Sequence, residues 1–210
     1  MISADFIFSL TLCAGLCIVL FSLTFTLSMA EVGQYIAFSA SRAHAAAHVD
    51  PAMQAKMGTD KFNELLSKPV LQDLFAKKGG GSWFLLGAET DGSAPKIDIK
   101  GGYNGEDFSN IYSIPKAAVE AATVPITGVR VAFVPRILNL KIAFLGTTAS
   151  DSDSGFKSYL TAFMIREPSQ QECLVQMKAR NEAILNLSSR YKTLGSSGNS
   201  KYVPLEDNGC

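Results

Sequence analysis

The sequence predicts an α+β protein: a long N-terminal transmembrane and stalk helix, then a small antiparallel β-sheet domain with one or two packed helices. Three observations carry this. Phe6 to Ala30 is an uncharged, apolar-dominated run bounded by Asp5 and Glu31. Two segments in the middle of the chain, Val124 to Phe133 and Leu138 to Leu145, alternate apolar residues at the period of a strand. Ser169 and Glu172, three apart, form a helix-opening capping box ahead of a further helical stretch. Residues 1–50 divide off as membrane helix and stalk, and 51–210 as a water-facing domain with a polar tail.

The first run is long enough to matter. At about 1.5 Å per residue it crosses the roughly 30 Å hydrocarbon core of a bilayer with length to spare. Ser28-Met29-Ala30 resembles a signal-peptidase site, but the apolar stretch is too long for a cleaved signal and no Lys or Arg precedes it, so cleavage is not expected. Charge flanks read literally would place the C-terminal domain in the cytoplasm, because Arg42 lies on that side and only Asp5 on the other. A basic leader ahead of Met1 would reverse that reading. Asp5 borders the hydrocarbon, where a carboxylate is costly unless it stays at the interface or meets a cation on a neighbouring copy. Cys13 and Cys17 share a helix face, either as small apolar packing residues or as sites of acylation or intermolecular pairing.

Beyond Glu31 the helix is expected to continue as an Ala-lined stalk, with Ala37, Ala40, Ala43 and Ala45 to Ala47, until Asp50-Pro51 stops it. Small side chains there allow close approach of a helix or sheet. His44 and His48 are four apart but lack a third ligand, so a metal is not expected. Thr59 to Phe75 reads as an amphipathic helix that Pro69 should kink or split. Lys77 to Ser82 is a glycine-rich turn without the Gly-Lys-Ser/Thr of a phosphate loop.

Ser82 to Leu86 and Lys96 to Lys100 read as strands with an Asp91-Gly92 turn between them. In Val124 to Phe133, Ile126, Val129, Val131 and Phe133 are assigned one face, and with Leu138 to Leu145 this segment is the best hairpin candidate. Asp151 and Asp153 alternate in a polar loop, but the full calcium pattern is missing. Phe156 to Ile165 is a further strand. The helix opened by Ser169 runs to about Tyr191, with Leu174, Met177, Ile184 and Leu187 as a core-facing stripe.

Nineteen basic and nineteen acidic side chains leave a net charge of zero, which argues against nucleic acid as a partner. No nucleophile elbow, metal cluster or nucleotide loop occurs, so neither catalytic residues nor cofactors are expected, with a membrane-tethered enzyme the lesser alternative. If the C-terminal part is exported, a disulfide between Cys173 and Cys210 would close a loop of about 36 residues and remove roughly 3–4 kcal/mol of unfolded-state entropy.

Met1-Ile2-Ser3-Ala4-Asp5-Phe6 places an acid and an aromatic before the apolar run, and Ala30 to Tyr35 and Ser41 to His48 continue it as a small-residue helix. In this the first fifty residues resemble the TadE/TadF-like minor pseudopilins of tight-adherence, type IV-related pilus systems. That resemblance implies a structural subunit anchored by a single pass in a bacterial inner membrane, with its C-terminal domain periplasmic or in a surface filament. It implies assembly roles for Asp5 and Phe6, with Asp5 neutralising a neighbouring subunit's N-terminal amine, and partners among other pilin subunits and the inner-membrane assembly platform. The family's usual acid is Glu, and its basic leader ending in glycine is not seen before Met1. The alternative is a single-pass anchored envelope protein whose domain binds a partner.

Overall fold

The computed structural model describes residues 2–46, 50–75, 82–89, 93–101, 107–109, 111–112, 126–138, 141–142, 146–147 and 156–190. The chain is α+β, as expected: a long apolar helix, then a small antiparallel sheet with a few helices.

Helix α1, Ile2–Ala45, is a single helix of 44 residues, so the apolar run and the Ala-rich stalk are one element. Asp50 and Pro51 both end that stretch and begin the next. The Asp50 carboxylate accepts a hydrogen bond from the Ala52 amide at 3.0 Å, and Pro51 opens α2, Pro51–Leu66, where its missing N–H costs nothing. The second helix thus starts at Pro51 instead of Thr59. Pro69 does split it, since α2 stops at Leu66 and α3 spans Pro69–Phe75.

The sheet is built around β3, Gly128–Pro135. Strand β6, Ser158–Phe163, runs antiparallel along one edge, pairing Gly128 with Phe163 and Phe133 with Ser158. The opposite edge carries two short strands end to end: β1, Phe84–Leu86, pairs with Phe133 to Pro135, and β2, Asp98–Lys100, pairs with Gly128 to Arg130. The segment between them leaves the sheet and returns, held where the Lys96 amide donates to the Gly87 carbonyl at 2.8 Å. The two segments expected to share an Asp91-Gly92 turn are therefore two halves of one interrupted edge, not partners.

The hairpin expected from Val124 to Leu145 is also corrected. After β3 comes a 3-10 turn, Arg136–Leu138, and Lys141–Ile142 (β4) pairs with Gly146–Thr147 (β5) as a separate two-stranded ribbon. The alternation in β3 is real, with Val129, Val131 and Phe133 on the core face. Ile126 lies before the strand, out of phase, and its carbonyl accepts from the Phe108 amide.

One face of the sheet packs on the second half of α1. Gly33, Ile36, Ala37, Ala40 and Ser41 are buried at helical spacing, opposite Phe84, Leu86, Val131, Phe133 and Ala162. The close approach that the stalk's small residues permit is most acute at Gly33, where a Cβ would lie 2.6 Å from Leu160 Cδ1. Ser41 Oγ donates to the Ala162 carbonyl at 2.9 Å and Gln34 Nε2 to the Thr161 carbonyl at 2.6 Å, fixing the helix along β6. Aromatic rings close the near end of the core: Phe84 stacks on Phe133 and meets Phe25 edge-on at 5.3 Å.

Helix α4, Gln170–Asn186, opens with the expected capping box. Its assigned core stripe does not hold, because Ile184 and Leu187 are 53% and 77% exposed. Leu174 and Met177, nearer its start, are half-buried.

Candidate functional site

Two features of the described residues stand out chemically: a bare length of α1, and a charged knot where that helix ends.

The bare length is residues 4–21. Phe6, Ile7, Phe8, Leu10, Leu12, Leu16, Ile18, Leu20 and Phe21 are each more than half exposed, whereas Ser22 is the first buried side chain. Eighteen residues at about 1.5 Å each make roughly 27 Å, close to the thickness of a hydrocarbon core. It is the one helix among the described residues long and apolar enough to span a membrane, and it lies near the N-terminus. Its polar side chains are suited to an apolar solvent. Thr11 Oγ1 donates to the Ile7 carbonyl at 2.7 Å, and Ser22, Thr24, Thr26 and Ser28 donate in the same way to carbonyls three or four residues back. A hydroxyl satisfied within its own helix needs neither water nor a neighbour.

Asp5 and Phe6 open this length. Asp5 is exposed in the first turn, where the helix dipole favours an anion, and no ion pair within the described residues involves it. Phe6 is 65% exposed. Cys13 and Cys17 are free, exposed thiols on the same length. The structure therefore places Asp5 and Phe6 together at the start of an unpartnered apolar surface. The other two residues singled out in the sequence are not part of it. Cys173, in the first turn of α4, is disulfide-bonded, and Cys210 lies outside the described residues, as do His48, Asp151 and Asp153.

The knot at the far end of α1 was not foreseen. Arg166, with a side chain 7% exposed, is its centre. Its Nη1 and Nη2 donate to the two carboxylate oxygens of Glu172, its Nε donates to the Gly101 carbonyl at 2.9 Å, and Nη1 also donates to Gln54 Oε1. Gln54, fully buried, donates from Nε2 to the carbonyls of Ala46 and Glu167. Glu172 further accepts from the Ser169 amide at 2.7 Å, so the helix cap and the ion pair share one carboxylate. These bonds join α1, α2, the end of β2 and the start of α4.

The Arg166 guanidinium, outweighing partial burial, holds the Glu172 carboxyl down at about 2, with Ser169 adding to the effect. His44, 2% exposed, sits beside the knot with neither ring nitrogen in a well-formed hydrogen bond among the described residues. Burial lowers its pKa most, the Gln54 backbone opposes this, and the positive Arg166 adds a smaller lowering. A neutral imidazole is what this position accommodates. Among the described residues no group of three His, Cys, Asp or Glu side chains is placed to hold a metal ion. Comparison with family models, with curated proteins and with solved structures found no match.

Proposed function

We propose that the chain is a membrane-anchored, pilin-like structural subunit of a tight-adherence or type IV pilus apparatus. The observation that carries this reading is the division of α1: one unbroken helix is bare over residues 4–21 and packed under a sheet from Ser22 onward, with the Asp5 carboxylate, in no ion pair among the described residues, at the head of the bare part. A bare apolar helix of this length is at home in lipid, and equally among the helices of identical or related subunits once these leave the bilayer. A carboxylate carried into such surroundings is stabilised only by a cation brought by a neighbour, which makes it a selector for correct assembly. The knot around Arg166 holds the head rigidly on the upper helix, as transmission of assembly forces requires.

The test is Asp5→Ala in the native bacterium, with surface filaments counted and the subunit's membrane fraction measured. Loss of a buried charge partner, worth about 3–5 kcal/mol, should reduce filaments to fewer than about a tenth while leaving the subunit in the membrane. Asp5→Glu should restore them. Unchanged filament numbers in the Ala variant would overturn the assembly role. They would favour the plainer reading that the bare helix supports by itself, a single-pass anchor for an envelope domain that binds a partner.

A further inference from the structure

The outer face of the sheet, turned away from α1, holds a cavity of about 690 Å³. That volume falls within the range of small-molecule sites. Arg130 and Ala132 of β3 and Tyr159 of β6 lie along it, and Glu89, Lys96 and Asp98 come from the segments where β1 leaves the edge and β2 returns to it.

Arg130 is the unusual group. Its guanidinium lies flat over the Tyr159 ring, with the central carbon 3.7 Å from the ring centroid. Its Nε is shielded from solvent and has no hydrogen-bond acceptor among the described residues. The two nearby acids do not supply one. Glu89 pairs with Lys157 at 2.5 Å, and Asp98, the cross-strand neighbour of Arg130, points to solvent without forming an ion pair among the described residues. A donor left dry and unmatched is unfavourable, and an incoming acceptor removes that cost. The planar fork of a guanidinium held by a ring beneath it matches a carboxylate in two parallel hydrogen bonds.

The rest of the lining limits the charge of the acceptor. Arg130 and Lys96 stand with Glu89 and Asp98 around the cavity, and Lys157 pairs with Glu89, so the surroundings carry one net positive charge, which a monoanion neutralises and a dianion such as phosphate oversteps. The same two acids are acceptors for hydroxyl groups. We propose that this cavity binds a small hydroxylated monocarboxylate, of the size of a sugar acid, with its carboxylate on Arg130 and its hydroxyls toward Asp98 and Glu89.

The experiment uses the full chain in detergent micelles, labelled with nitrogen-15, with the Arg130 Nε–H resonance assigned by its disappearance in Arg130→Lys. Sodium glucuronate is titrated at constant ionic strength, with glucose, sodium chloride and sodium phosphate as comparators. A saturable shift of the Arg130 signal with glucuronate, absent with glucose and chloride and weaker with phosphate, is the expected result. Binding measured by calorimetry should weaken by at least about tenfold in Arg130→Lys, which keeps the charge but not the fork. In Asp98→Asn, glucuronate binding should persist while its advantage over phosphate shrinks. No saturable shift with glucuronate, an equal response to glucose, tighter binding of phosphate, or unchanged affinity in the Lys variant would each overturn the proposal. Should Arg130→Lys fold poorly, judged by its Trp83 fluorescence, the wild-type titration decides alone. The cavity lies on the face opposite α1, so none of these outcomes bears on the role of Asp5.

Discussion

Glu172→Gln isolates a single quantity, the charge that Glu172 brings to Arg166. Glutamine is itself a capping-box residue, so the start of α4 survives the exchange. What goes is the anion facing a guanidinium whose side chain is 7% exposed. A carboxyl held at about 2, against an ordinary 4.5, stabilises the folded state by about 3 kcal/mol at neutral pH. Solvent contact at a side chain 18% exposed screens part of this and leaves about 2–3 kcal/mol. Counting bonds gives a similar figure: Arg166 and Ser169 donate four hydrogen bonds to the carboxylate, and an amide oxygen can keep only some of them, each worth about 1.5–3 kcal/mol when charge-assisted. In melting temperature the loss is about 5–10 °C for a chain of this size.

Trp83, the only tryptophan in the chain, reports the unfolding, because its ring meets Phe25 of α1 edge-on at 5.8 Å. The pH dependence gives a second, independent readout. The folded pKa of Glu172 lies below the unfolded one, so its contribution is complete above about 4.5 and is lost as the pH falls toward 2. The wild type should therefore lose stability across that window, and the Gln variant should lose about 2–3 kcal/mol less over it. A Gln variant that melts within about 2 °C of the wild type at neutral pH, or has the same acid limb, would refute the idea that the knot holds the head together.

His44→Leu should leave the protein as stable or about 1 kcal/mol more stable, because the buried imidazole makes no well-formed hydrogen bond among the described residues. With its folded pKa lowered, wild-type His44 opposes folding as the pH drops below its unfolded value of about 6.5, so the Leu variant should flatten Trp83-monitored stability below that pH; a steeper curve would contradict this. Gly128→Ala should cost at least about 2–3 kcal/mol in the same unfolding assay, since φ is +140° and a Cβ would stand 2.2 Å from the Ala162 carbonyl oxygen; a loss under about 0.5 kcal/mol would mean that the β3–β6 pairing is looser than drawn.

The elements of this fold were more legible than their partnerships. An apolar run followed by strong helix formers writes α1 directly, and the Ser169–Glu172 box marks the start of α4 to the residue. Strand pairing is different. Alternation shows that Val129, Val131 and Phe133 share a face, but Gly128 pairs with Phe163, thirty-five positions on, and nothing local names that partner. Nearest-neighbour hairpins were the default, yet among the described strands β3 pairs with β1 and β6 as well as with its chain neighbour β2, and not with the segment that follows it. The stripe of α4 misled because periodicity shows which residues share a face and is silent on whether anything lies against it. The knot escaped because its members are 44, 54, 101, 166 and 172, each ordinary alone. One hint was present: Arg166 stands six residues before a capping Glu, within reach of the same carboxylate.

The position of Ser22 alters what the opening apolar run means. Hydropathy treats Phe6 to Ala30 as one stretch, yet the head already grips the helix at Ser22, Phe25, Thr26 and Met29. The length left for lipid is residues 4–21, which just suffices and leaves little room for tilt. With that segment in the hydrocarbon, Phe25 stands only about 6 Å beyond its last residue, and the 57% exposed Trp83 that packs on it lies at the level of the headgroups. Tryptophan is favoured there, its ring half apolar and its N–H free to meet water. In that placement the head would be seated against the bilayer surface instead of standing off on a stalk. The Ala-rich extension that resembled a spacer is the floor of the domain core, and α1 joins the bare apolar segment to the sheet without a hinge.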